Sequence, residues 1–127
     1  MVLALALCLS AFAQKPIPAE PPEEDASLKP KEYTLNPVQA EKEYNIGLYY
    51  AKKKSWRAAA NRFEEAAKWN PGFGDAYFKR AEMLEHLGDK GKARAAWAQF
   101  VEAAPDDKRV ADVQKKLKAT APPPPAK

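Results

Sequence analysis

Residues 47–71 read GLYYAKKKSWRAAANRFEEAAKWNP, and residues 81–105 read AEMLEHLGDKGKARAAWAQFVEAAP. Laid over one another, they agree in character at Gly47 and Ala81, Tyr50 and Leu84, Ala59 and Ala93, Phe63 and Trp97, Ala66 and Phe100, and Pro71 and Pro105, always 34 positions apart. The pairs run small, bulky apolar, Ala, aromatic, apolar, Pro. Chance matches one or two such positions, but six at one spacing mark a duplicated unit. A period of this length with this pattern belongs to a helix–turn–helix solenoid, in which no unit can bury its apolar face alone.

The punctuation between the apolar positions agrees. Asn36-Pro37 reads as an N-cap followed by proline at the first helical position, where no amide donor is needed. It predicts a first helix from Pro37 to about Lys53. Ser55 is expected to cap a second, which carries Ala59, Phe63, Ala66 and Ala67 at helical spacing to about Trp69. Asn70-Pro71-Gly72 stops it. A third spans Phe73 to Leu87 with Tyr77, Ala81 and Leu84 on one stripe; Gly88 closes it. Asp89 caps a fourth, which Pro105 ends. Asp106 and Asp107 are expected at the positive end of a fifth helix, with Lys115, Lys116 and Lys118 at its negative end. Its apolar stripe, Val110, Val113 and Leu117, is narrow and suits a cap over the last unit. The expected fold class is therefore all-α, with two units over 40–73 and 74–107, a capping helix over 106–119 and no sheet. Gly47 and Ala81 are expected to let the helices of one unit approach closely, and Phe63 and Trp97 to fill the space between units. All three tryptophans are core candidates.

Residues 40–73 and 74–107 resemble two tetratricopeptide repeats. That pattern asks for a bulky residue, a Leu-Gly pair, Tyr, and later Ala, Phe, Ala and Pro. The first unit supplies Ile46-Gly47, Tyr50, Ala59, Phe63, Ala66 and Pro71, and the second Tyr77, Ala81, Leu84, Ala93, Trp97 and Pro105. It departs at Glu43, where a large apolar residue is expected and Tyr44 is the nearest substitute, at Arg80, which replaces a Leu, and at Phe100, which replaces a small residue. Residues 43–50, with Trp56-Arg57-Ala58-Ala59 and Arg62-Phe63, are also similar to the opening repeats of the tetratricopeptide lipoproteins of the outer-membrane β-barrel assembly machinery. The resemblance implies a short right-handed solenoid that binds proteins and argues against an enzyme.

The ends of the chain differ from its middle. Residues 2–13 form an uncharged apolar run closing on Ala11-Phe12-Ala13, as before a secretory cleavage site. The run is too short for a span, which takes roughly 20 apolar residues. Export to the periplasm or beyond is the expectation. Cys8, the only cysteine, lies in that run, so disulfides and thiolate metal sites are excluded from the mature chain. As a lipid acceptor Cys8 is disfavoured, because Leu7 precedes it and the apolar run continues past it. Residues 14–36, rich in Pro and Glu, are expected to be a solvated tether, and the tail over 120–127, with Pro122 to Pro125, polyproline II or disordered. The net charge of +4 divides into −2 over 1–36, +3 over 37–104 and +3 over 105–127. That is a mildly basic body without the basic face and interleaved aromatics that nucleic acid requires.

No catalytic constellation is present. His86 is the only histidine, so neither a two-histidine metal site nor a triad with a second histidine can be built. Glu82 and His86 have helical i, i+4 spacing but no third ligand, and read as a solvated pair. Neither a phosphate loop nor a nucleophile elbow occurs. No metal, cofactor or catalytic residue is expected. The resemblance implies instead a concave groove lined by the first helix of each repeat. By register its residues are Glu41, Tyr44, Asn45, Leu48 and Lys52, then Asp75, Phe78, Lys79, Glu82 and His86. Tyr44, Leu48 and Phe78 are the expected apolar anchors. Asn45, Lys52, Lys79 and Glu82 supply polar contacts, and Asn45 with Lys79 is a fragment of the clamp by which some members hold a terminal carboxylate. The expected function is an exported adaptor that takes a partner peptide or helix in this groove. The alternative is a structural, self-associating part of an envelope complex, related to outer-membrane protein assembly. Homodimerisation would relieve the shortness of the array, since solenoids usually need about three units.

Overall fold

The structure, a computed structural model, describes residues 31–122. The apolar run with Cys8, the tether up to residue 30 and the tail from residue 123 lie outside them. Five helices follow one another: α1 (Pro37–Lys52), α2 (Trp56–Trp69), α3 (Gly74–His86), α4 (Lys90–Ala103) and α5 (Val110–Ala119). Each packs on the next, so α1–α2 and α3–α4 are the two expected units and α5 lies on α4. Among the described residues there is no strand. The all-α architecture is the one the repeat predicts.

The caps follow the sequence in part. Asn36 Oδ1 accepts from the Gln39 amide at 3.0 Å, with Pro37 behind it, and Asp89 Oδ1 accepts from the Lys92 amide at 3.1 Å. Ser55 makes no capping hydrogen bond. Helix α5 begins later than its acidic pair suggests: Asp107 serves the turn before it, accepting from the Arg109 amide at 2.8 Å and from the Arg109 guanidinium. Those bonds hold the Asp107 carboxyl down at about 2.

The two intra-unit turns are built alike. In the first, the Lys54 amide bonds to Ala51 O and the Ser55 amide to Tyr50 O, both at 3.0 Å. In the second, Gly88 bonds to Glu85 O and Asp89 to Leu84 O, again at 3.0 Å. This pattern needs one left-handed residue, at φ +75° in Gly88 and φ +60° in Lys54. Glycine adopts that conformation freely, whereas the Lys54 Cβ resists it.

Packing within a unit depends on small residues. A Cβ built on Gly47 would lie 2.6 Å from Cε1 of Phe63, so α1 and α2 sit closer than any side chain at that position allows. Phe63, fully buried, lies against the α1 backbone inside its own unit and belongs to the same buried cluster as Ala81 and Leu84 of the second. Ala66, Ala67 and Ala76 pack where α2 meets α3. Of the tryptophans only Trp97 is buried; Trp56 and Trp69 are half-buried. In α5, Val113 is buried and Val110 and Leu117 flank it, as the narrow stripe requires.

Glu43 departs from the apolar pattern by a different route. It is buried at 5% exposure, the one charged residue in the core of the described residues. Tyr44 does not take its place. The Glu43 carboxylate instead accepts from the Arg62 guanidinium of α2 at 3.0 Å and from the Gln39 side-chain amide at 3.0 Å. A carboxylate out of water is tolerated when it is both paired and hydrogen-bonded. The end of the expected tether is also engaged. Tyr33 stands edge-on to Trp69, with ring centres 5.0 Å apart, and its hydroxyl donates to the Glu65 carboxylate at 2.8 Å. The Asn36 amide donates to Trp69 O at 2.9 Å, which fixes the entry to α1.

Two outcomes follow from these contacts. Arg62→Ala strands the Glu43 carboxylate and is expected to lower unfolding free energy in urea by about 3 kcal/mol, whereas Glu43→Leu combined with Arg62→Leu recovers most of that loss. Lys54→Gly relieves the left-handed strain and is expected to raise stability by roughly 0.5–1 kcal/mol in the same titration. A destabilised Lys54→Gly protein would contradict the turn geometry.

Candidate binding groove

The repeat register continues past the second unit. Arg109 lies 34 residues after Asp75 and is hydrogen-bonded to it at 2.5 Å. Helix α5 thus stands where the first helix of a third unit would stand, and α1, α3 and α5 carry equivalent residues. Reading along them gives Glu41, Asp75 and Arg109; Tyr44, Phe78 and Asp112; Asn45, Lys79 and Val113; Leu48, Glu82 and Lys116. A second link between adjacent rows is Lys116 Nζ to the Glu85 carboxylate at 3.3 Å.

Two hollows open between these helices. The first, about 360 Å³, lies between α1 and α3 and is lined by Glu41, Tyr44, Asn45, Phe73 and Asp75, with Pro37 and Asn70 at its end. The second, about 330 Å³, lies between α3 and α5; Phe78, Trp97 and Val113 supply apolar wall, and Glu82, Glu85, His86, Arg109, Asp112 and Lys116 the polar part. Each matches the size of one or two side chains and sits at the small end of the range for small-molecule pockets.

The expected anchors divide. Leu48 is 37% exposed and has most freedom to meet a partner. Tyr44 and Phe78 line the two hollows but spend much of each ring on the protein's own packing. Tyr44 lies 5.3 Å from Phe63 and 5.0 Å from Phe73, and burial raises its hydroxyl pKa, with Asp75 and Glu82 adding to the rise and Arg109 opposing it. Phe78 stands edge-on to Trp97 at 4.8 Å and to Phe100 at 5.2 Å, with the Arg109 guanidinium 4.5 Å over its ring. Asn45 is exposed on the first hollow, and Lys52 is exposed at the last turn of α1.

Lys79 and Glu82 pair with each other at 3.3 Å, so that lysine is occupied within α3. One oxygen of Glu82 is shielded from solvent without a hydrogen bond; the Lys79 ammonium neutralises it from outside bonding alignment. Asn45 shares its hollow with Glu41 and Asp75 and no basic residue, which is the wrong sign for clamping a carboxylate. His86 stacks flat on Trp56, rings 3.9 Å apart and 5° from parallel, joining α3 to α2. Among the described residues no group of three or more His, Cys, Asp or Glu comes together to hold a metal. No described helix is long and apolar enough to cross a membrane.

Sequence reasoning misses Arg109, Asp112, Val113 and Lys116 as lining of the second hollow because it gives α5 only the role of a cap. The signal was there: each lies one 34-residue step beyond a residue already assigned to the groove. Trp97 carried no such signal, since its register position belongs to a second helix.

The family described as tetratricopeptide repeat has a sequence model that matches residues 50–117, more than half of the chain. The fold is similar to the solution structure of a tetratricopeptide repeat domain protein from Salinibacter ruber, at 20% identity and TM-score 0.57, covering 68% of this chain and 90% of that one. Among curated proteins there is no match. The repeat register, the small-residue helix contacts and the family match agree, and the chain belongs to the tetratricopeptide repeat family.

Proposed function

We propose that this protein is an exported adaptor that holds an extended peptide or a helix of a partner protein along the face formed by α1, α3 and α5. Tetratricopeptide repeats generally mediate protein–protein interaction and are typically not catalytic. The observation that carries the finer reading is the pair of hollows on either side of α3, the first beside the starts of α1 and α3 and the second farther along α3, with Leu48 exposed on the same row of helices. Side-chain-sized hollows in successive gaps between the helices suit a chain that offers one side chain to each. An apolar anchor entering such a hollow gains most of the binding energy, while rim charges set orientation.

Tyr44 and Phe78 are hollow walls in this reading, Leu48 is the free anchor, and Asn45, Lys52, Lys79 and Glu82 are rim contacts. Leu48→Ala is expected to leave stability within about 0.5 kcal/mol, as surface changes usually do. It is expected to weaken capture of partners from envelope extracts by roughly tenfold, the loss of a ~1.4 kcal/mol contact. Lys68→Ala on α2 is the control. Loss of capture in the control with none in Leu48→Ala would move the interface off this row of helices. The rival structural role predicts concentration-dependent sedimentation of the chain without any partner. Export rests on the apolar run ending at Ala11-Phe12-Ala13. It predicts a mature N-terminus at Gln14, and mass spectrometry finding Met1 on the cellular protein would refute it.

A further inference from the structure

The groove contains an internal example of what it accepts. Arg109 places its guanidinium 4.5 Å over the Phe78 ring while bonding to Asp75 at 2.5 Å and Asp107 at 2.8 Å, a cation held between two carboxylates above an aromatic face. One repeat earlier the same positions are Tyr44 for Phe78 and Glu41 for Asp75, while Asp75 itself falls where Arg109 stands. That site has the aromatic wall and two carboxylates, of which Asp75 is already bonded to Arg109 and Glu41 is not. Glu41 has no ion-pair partner among the described residues, and no basic residue lines the 360 Å³ hollow that it shares with Tyr44, Phe73 and Asp75. The nearby Arg109 does not balance it, since its one charge is already divided between Asp75 and Asp107.

We infer that the hollow between α1 and α3 takes a cationic side chain, arginine above lysine, from an extended segment of the partner protein. The inference rests on the groove reading and names the chemistry of its ligand. Arginine is favoured because a planar guanidinium can stack on an aromatic ring such as Tyr44 while its edge bonds a carboxylate, as Arg109 does over Phe78 with Asp75. The committed partner is therefore a basic peptide and not the carboxylate terminus that Asn45 and Lys79 alone would imply.

Two measurements on the full chain test this. In the first, the isotope-labelled chain is titrated with N-acetyl-arginine amide and, separately, with its neutral isostere N-acetyl-citrulline amide. Arginine is expected to give saturable amide shifts at Glu41, Asn45, Phe73 and Asp75 that weaken with added salt, and citrulline none. Equal shifts from both probes, or arginine shifts undiminished in Glu41→Gln, overturn the inference. In the second, random extended peptides displayed on phage are selected on the chain. Selected peptides are expected to be rich in arginine and to bind Glu41→Lys at least about tenfold more weakly. Peptides that bind without a basic residue, and equally well to Glu41→Lys, overturn the cation site but leave the groove standing. If no peptide is selected while arginine amide still titrates Glu41 and Asp75, the groove reading falls and the cation site survives. Because Glu41 is exposed, circular dichroism of both variants is expected to match the parent, so a loss of binding is not a loss of fold.

Discussion

The close approach of α1 and α2 at Gly47 governs the rest of this structure. With no Cβ at that point, the Phe63 ring can lie against the backbone of the opposite helix, and the angle between the two helices is set by that contact. A helix pair at that angle leaves an apolar face open, which the next pair covers through Ala66, Ala67 and Ala76. The second pair in turn needs α5, whose Val113 is the residue of that helix buried against the core. Each layer thus depends on the one before it, and among the described residues the main buried cluster runs from Ala59 in α2 to Val113 in α5.

Charge is used inside this framework where the family pattern asks for hydrocarbon. The Glu43–Arg62 pair fastens α1 to α2 from within, and its buried geometry makes it costly to halve but inexpensive to replace entirely. The Arg109 cluster has a different role at the other end of the array. It ties the turn before α5 to α3 through Asp75 and covers the Phe78 ring, so the last helix is held by ionic contacts as well as by a narrow apolar stripe. An amphipathic helix of ten residues would dock poorly on such a stripe alone.

The same arrangement shapes the surface. Because α5 repeats the position of α1 and α3, the protein has three equivalent helix faces in a row, and the gaps between them are where side chains from elsewhere fit. Arg109 pairs with Asp75 and Asp107 and Lys116 with Glu85, whereas Glu41 in the α1–α3 gap has no ion-pair partner among the described residues. The asymmetry arises from a single register position, which is acidic in α1 and α3 and basic at Arg109, just before α5. A repeat protein acquires distinct subsites in this way, since the backbone is copied while side chains diverge.

Local rules and spacing were sufficient for the helices, the register and two of the caps, because each depends on residues close in the chain: Asn36 and Asp89 bond to amides three residues ahead, and the 34-residue echo needs no partner to be read. Which residues share one face of α1 and α3 was legible for the same reason. The partner of Glu43 was not, because Arg62 lies 19 residues away and meets it only once α1 and α2 are packed. Tyr44 and Phe78 looked like free anchors, and only packing showed them to be walls, since a ring's exposure depends on neighbours that arrive from Phe63, Phe73 and Trp97. The hollows, and the sign of charge in each, exist between helices and nowhere within one. Sequence by itself determined which helices form and how they repeat; the distances between them, which decide what is buried, paired or left open, came only with the tertiary structure.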